Sequence, residues 1–90
     1  MITSDDPRLR RLNIRSWRRG TKEMDMILGP WSDAHLANLE PDEIDAYEAL
    51  LGENDQDLYL WVSGQAPIPD AHSGLLSHIR AFAELGPDAS

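Results

Sequence analysis

Cysteine is absent from this chain, which removes disulfide bonding, thiolate metal ligation and thiol chemistry together. Long apolar runs are also missing. The longest, Leu58 to Val62, spans five residues, against the roughly 20 that a transmembrane helix needs. No apolar core near the N-terminus resembles a secretory signal, and although that region is rich in Arg, Asp5 and Asp6 oppose import into an organelle. These absences lead us to expect a cytoplasmic protein with no membrane insertion. Basic residues are scarce after Lys22: seven of the eight Lys and Arg lie at or before it. Set against Asp5 and Asp6, they give positions 1–22 a charge of +5. Arg80 against fourteen acids gives the remainder −13, within a net charge of −8. Such segregation suits one basic contact face on an acidic body. Length is limited as well. The 90 residues are expected to form one helical domain over 1–90, with a core from about 7–85. A chain of this size buries only about 60–65% of its unfolded surface. Little stability is left to hold a deep, polar, preorganised pocket, so a working site on the surface is expected, and no enzyme.

What is present reads as helix. Asp6 before Pro7 is an N-cap followed by Pro at the first helical position, and it opens a helix expected to reach Arg18 or Arg19, with Gly20 ending it. A second helix starts around Lys22, where Met24, Ile27, Leu28 and Trp31 keep the i, i+3, i+4, i+7 spacing of a buried face. Gly29 and Pro30 interrupt it. Pro30 has no N–H for the carbonyl four residues back, which predicts a kink or restart there and continuation towards Leu36. The third helix has Pro41 at its first position, Asp42 and Glu43 at its positive dipole end and Gly52 as its stop. Leu39 and Ile44 occupy the positions of a hydrophobic staple. A short fourth begins at Asn54 or Asp55, buries Leu58, Trp61 and Val62, and ends at Gly64, after which Pro67 and Pro69 keep 65–71 extended. Ser73 caps a fifth helix with the apolar stripe Leu75, Leu76, Ile79, Phe82 and Ala83, closed by Gly86 and Pro87. No stretch alternates with period two. The expected fold is all-α, a compact bundle of five short helices. Its core is expected to include Leu9, Leu12, Ile27, Leu28, Ile44, Tyr47, Leu50, Leu58, Trp61, Ile79 and Phe82.

Most chemistry-bearing residues read as ordinary. His35, His72 and His78 form no HxxH or HxxxH pair with another ligand, so no metal site is expected. Glu40, Asp42, Glu43, Asp45 and Glu48 crowd a helix start, where acids complement the dipole and face solvent. Tyr47, Tyr59 and Trp61 read as core or half-exposed packing, or as aromatic contributions to an interface. No Gly-rich phosphate loop, GxSxG elbow or Ser/His/Asp constellation is present.

The first helix differs. At 100° per residue, Leu9, Leu12, Ser16 and Trp17 share one side, and Arg8, Arg11, Arg15, Arg18 and Arg19 crowd an arc of about 100° on another. Nucleic-acid contact is an alternative reading of such a stripe, as is a small helical adaptor. The acidic remainder of the chain would be repelled by phosphate, and we expect no nucleic-acid partner. Directly after the stripe comes Arg19-Gly20-Thr21-Lys22-Glu23, an RGxxE sequence. Gly at a helix end can take positive φ cheaply, which predicts a tight reversal at Gly20 displaying Arg19 and Glu23 side by side on the surface. A planar guanidinium and a matching carboxylate at such a corner can pair with each other or exchange partners with an incoming surface.

The segments RRLNIRSWRRGTKEMDMILGPW and AHLANLEPDEIDAYEALLGENDQDLYLWVSG resemble the SdhE family, small assembly factors that promote FAD attachment to succinate dehydrogenase. The resemblance spans about Arg10 to Arg80 and rests on RGxxE, on Glu23 to Leu28, on Tyr47 to Leu51, and on Asp55 to Leu58 leading to Trp61. Pro30 and Trp31 depart from the family pattern. The resemblance implies a five-helix bundle that binds the flavoprotein subunit of succinate dehydrogenase, or of fumarate reductase, and favours the bond between a histidine of that subunit and FAD. It also implies no cofactor of its own, since it acts on FAD held by the partner. The expected contact residues are Arg19, Gly20 and Glu23, with Arg11, Arg15 and Arg18 of the basic stripe.

Overall fold

Helix starts are set by local polar groups. In the computed structural model, which describes residues 6–85, the Asp6 carboxylate accepts the backbone N–H of Arg8 at 2.9 Å and opens α1, Pro7–Trp17. Thr21 caps α2, Lys22–His35, through the N–H of Met24. Glu43 reaches back 2.9 Å to the N–H of Glu40 at the head of α3, Pro41–Leu51. Asn54 caps α4, Asp55–Val62, by accepting the N–H of Gln56 at 2.8 Å. The last helix, α5, is Ser73–Leu85. Ser73 is not its cap: a 3-10 turn over Asp70–His72 runs straight into the helix, and the Ser73 hydroxyl donates to the Asp70 carbonyl. The expected stop at Gly86 and Pro87 lies outside the described residues.

The described residues thus form the expected all-α bundle of five helices, with no strand among them. Leu9, Leu12, Leu28, Tyr47, Leu50, Leu58, Ile79 and Phe82 are buried, and Ile27, Ile44 and Trp61 are partly buried against them. Met24, Trp31, Leu36, Leu51, Val62 and Leu76 complete the core.

The second helix overturns the restart expected at Pro30 and keeps the expected continuation towards Leu36. It runs unbroken through the proline and is followed by a 3-10 turn over Leu36–Asn38. Met24 and Leu28 before it and Trp31 and Ser32 after it are all buried, so tertiary packing holds both halves as one helix despite the lost hydrogen bond. Gly29 has its own reason. It is buried beneath the Trp17 ring so closely that a Cβ would stand 2.3 Å from an indole carbon. Trp17 Nε1 donates to Asp33 at 3.1 Å and Asn13 donates to both Ser32 and Asp33, which pins α1 against α2.

Tyr47 anchors α3 to α1. Ser16 donates its hydroxyl proton to the Leu12 carbonyl at 2.7 Å, so the 2.6 Å contact between Ser16 Oγ and Tyr47 Oη must have Tyr47 as donor. Burial raises the phenol pKa, and the group stays a neutral donor. Its ring lies 5.1 Å from that of Trp31, which places an aromatic pair at the centre of the bundle.

Candidate functional site

The corner between α1 and α2 is built from three directions. The Arg19 backbone N–H donates to the Asp25 carboxylate, so the first turn of α2 holds the chain that leads into it. The Arg19 side chain turns inward and is only 11% exposed. Its Nε donates to Asp55 Oδ1 at 2.7 Å, Nη1 to the Leu51 carbonyl at 2.6 Å and Nη2 to the Glu53 carbonyl at 2.8 Å. The two carbonyls lie at and just after the end of α3, where a helix leaves acceptors unsatisfied and a cation is favoured. Asp55 is the first residue of α4, where a carboxylate meets the positive end of the dipole. One guanidinium therefore closes the junction of α3 and α4 against the α1–α2 corner.

Gly20 belongs to the same lock, and its role differs from the expected one. Among the described glycines only Gly64, just after α4, has positive φ, at 79°, so Gly20 is not needed for a left-handed turn. Its N–H donates to Asp55 Oδ2 at 2.6 Å, and a Cβ there would stand 2.9 Å from that same oxygen. The missing side chain makes room for a carboxylate.

Arg19 and Glu23 are not paired with each other, and Arg19 is not a surface cation. Glu23 is exposed and has no hydrogen bond or ion pair among the described residues. It lines a groove of about 490 Å³ with Thr21, Asp55, Gln56, Tyr59 and Leu60. Tyr59 and Leu60, adjacent on α4, are 40% and 37% exposed. A sequence profile of the family described as "Flavinator of succinate dehydrogenase" matches residues 10–83, the span that builds this corner and groove. The chain belongs to that family.

Relatives agree with the profile. The chain is 35% identical over 86 residues to "Succinate dehydrogenase assembly factor 2, mitochondrial" of Candida glabrata, covering 90% of this chain and 56% of the relative. It is 33% identical over 84 residues to the protein of that name from Saccharomyces cerevisiae, covering 88% and 52%. The chain thus spans about half the length of these two relatives. Their names place them in mitochondria, which is where this chain's expected cytoplasmic setting parts from theirs. No helix among the described residues is long and apolar enough to cross a membrane.

In this member of the flavinator family the basic stripe divides. Arg11, Arg15 and Arg18 are exposed and carry no ion pair among the described residues. Arg8 is withdrawn from the stripe by Asp45 at 2.6 Å and Glu48 at 2.9 Å, acids that thereby do more than face solvent. Of the groove residues, Tyr59 is expected from sequence as packing or as an aromatic contribution to an interface, whereas Asp55 and Leu60 are not among the expected contact residues. Asp55 sits directly after the Asn54 cap, where it marks a helix start and belongs to the Asp55 to Leu58 run of the resemblance, with no local sign of its distant partners.

The histidines are less isolated than their spacing suggests. His35 and His78 meet with ring centroids 4.6 Å apart, and His35 also contacts Trp31 and Phe82. They border a cleft of about 600 Å³ with His72, Asp42, Glu43 and Leu39. Burial, and then the neighbouring His78, lower the His35 pKa. Among the described residues no three His, Asp or Glu side chains are grouped to hold a metal ion.

Proposed function

We propose that this protein binds the flavoprotein subunit of succinate dehydrogenase and promotes covalent attachment of FAD to it, without turnover or a cofactor of its own. The observation that carries the reading is the corner. Three inward hydrogen bonds from Arg19 and one from Gly20 fix the backbone on which Glu23 stands free, beside an open, partly apolar groove. A preordered surface loses little freedom on docking, which favours affinity. Membership of the flavinator family supports the choice of partner, and the related subunit of fumarate reductase is a second substrate under the same reading. The chemistry belongs to FAD and to the subunit's own histidine. This protein acts by preferring the subunit conformer in which the histidine and the flavin are in register, and so raises its population. The exposed Arg11, Arg15 and Arg18 supply a further contact area and steer the approach of an acidic surface.

The test is co-expression with the flavoprotein subunit in cells lacking any endogenous factor, with covalent flavin read by fluorescence in a denaturing gel. Wild-type protein should raise the signal well above the empty control. Equal signals overturn the reading.

A further inference from the structure

We infer that the groove between the start of α2 and α4 seats a segment of the flavoprotein subunit in which a Lys or Arg stands next to a large apolar side chain. Glu23 takes the cation, and Tyr59 with Leu60 takes the apolar group. The inference rests on the docking function proposed above and names the surface and the chemistry that carry it.

Charge selects the occupant. Two carboxylates line the groove, Glu23 and Asp55, and Asp55 is already engaged by Arg19 and the Gly20 N–H. Glu23 is left as the one lining carboxylate without a partner among the described residues, and no cation lines the groove. An incoming cation gains a charge-assisted hydrogen bond at a site the protein leaves open, and an incoming anion finds no cation among the lining residues.

The apolar half of the site lies within the same groove. Tyr59 and Leu60 are neighbours on α4 and both are exposed. Aromatic side chains such as Tyr59 are enriched at interface centres. A groove of about 490 Å³ is in the range of small-ligand pockets, about 300–1,000 Å³. It admits the side chains of one or two residues and is too small for a whole helix. The lining includes Asp55, held by the Arg19 lock, so that part of the groove is shaped before the partner arrives and little ordering is needed there on binding.

The experiment uses the full chain with a photoreactive benzoylphenylalanine at position 60, or at the exposed position 77 of α5 as a control, mixed with the purified flavoprotein subunit of succinate dehydrogenase. Cross-linked peptides are identified by mass spectrometry. Position 60 should attach to a subunit segment with Lys or Arg next to a large apolar residue, and position 77 should not. By titration calorimetry, Leu60→Ala and Glu23→Lys should each weaken subunit binding about tenfold or more, with melting temperatures unchanged. Reversing the charge of the mapped cation on the subunit should restore binding to Glu23→Lys within about threefold of wild type. Cross-linking from 77 rather than 60, to a second copy of this chain, or to a segment without a cation overturns the inference. So does wild-type affinity in both groove variants while the wild-type protein binds and raises flavin attachment. Wild-type protein that neither binds nor raises attachment overturns the proposed function, and the inference with it.

Discussion

Asp55 Oδ2 accepts the backbone N–H of Gly20 at 2.6 Å, across 35 positions of sequence. The carboxylate cannot swing away freely, because its other oxygen holds the Arg19 Nε at 2.7 Å.

Gly20→Ala is therefore expected to destabilise by about 1–3 kcal/mol, the usual cost of forcing an extra carbon into a filled space. The same change in an Asp55→Ser background should cost much less, since the obstructing oxygen is gone. Urea unfolding followed by circular dichroism measures both. Equal costs in the two backgrounds would mean that the backbone conformation, and not the carboxylate, demands glycine.

Arg19→Ala is expected to cost about 3 kcal/mol, because Asp55, itself only 16% exposed, and two carbonyls lose their donor together. This reverses what an exposed Arg at a corner would do. Arg19→Lys should recover only part of the loss, as an ammonium cannot match three acceptors arranged for a planar fork. Urea midpoints for the three proteins test the ranking.

Glu23→Ala separates function from stability. With no partner to lose among the described residues, its unfolding free energy should stay within about 0.5 kcal/mol of wild type, whereas covalent flavin in the co-expression gel should fall clearly. Wild-type flavin attachment by a folded Glu23→Ala protein removes Glu23 from the docking surface.

Gly29→Ala should destabilise by about 1–3 kcal/mol, although Ala is the better helix former, because the new methyl would clash with carbons of the Trp17 ring. A stabilised variant in thermal melts would show that Trp17 can move aside at no cost.

His35 should make stability fall on mild acidification. Its folded-state pKa lies below the ordinary value of 6.5, so the unfolded chain binds the proton more readily. Stability is full above about pH 6.5 and is lost as the pH falls from there through the folded pKa. His78, whose ring it meets, and His72, Asp42 and Glu43, which line the same cleft, are titratable neighbours. Melting temperatures between pH 7.5 and pH 5.5 should decline in the wild type and decline less in His35→Gln.

Much of the fold was legible because its signals are local. The cap at Asp6, the prolines at positions 7 and 41, Asn54 before α4 and the positive-φ glycine at position 64 each act within one turn of helix. Their effect is therefore the same whatever packs against them. The restart expected at Pro30 does not occur, for the complementary reason. The proline's local penalty is real, but Met24, Leu28, Trp31 and Ser32 are buried on both sides of it, and that burial overrides the penalty. Gly29 was read as a breaker alongside Pro30, although it is there to admit the Trp17 ring.

The sequence by itself determined five amphipathic helices, the segregation of basic from acidic charge and the place of the corner, because helix periodicity, capping and composition need no distant partner. Only the tertiary structure decided what the corner's charges do. Arg8, Arg11, Arg15, Arg18 and Arg19 look equivalent along the chain, but Arg8 meets Asp45 and Glu48, and Arg19 meets Asp55 and the carbonyls of Leu51 and Glu53. Arg11, Arg15 and Arg18 stay exposed. The physical reason is that an ion pair depends on which helix ends the packing brings within about 3 Å. That packing delivers the α3–α4 junction to Arg19 and leaves Glu23 without a partner among the described residues.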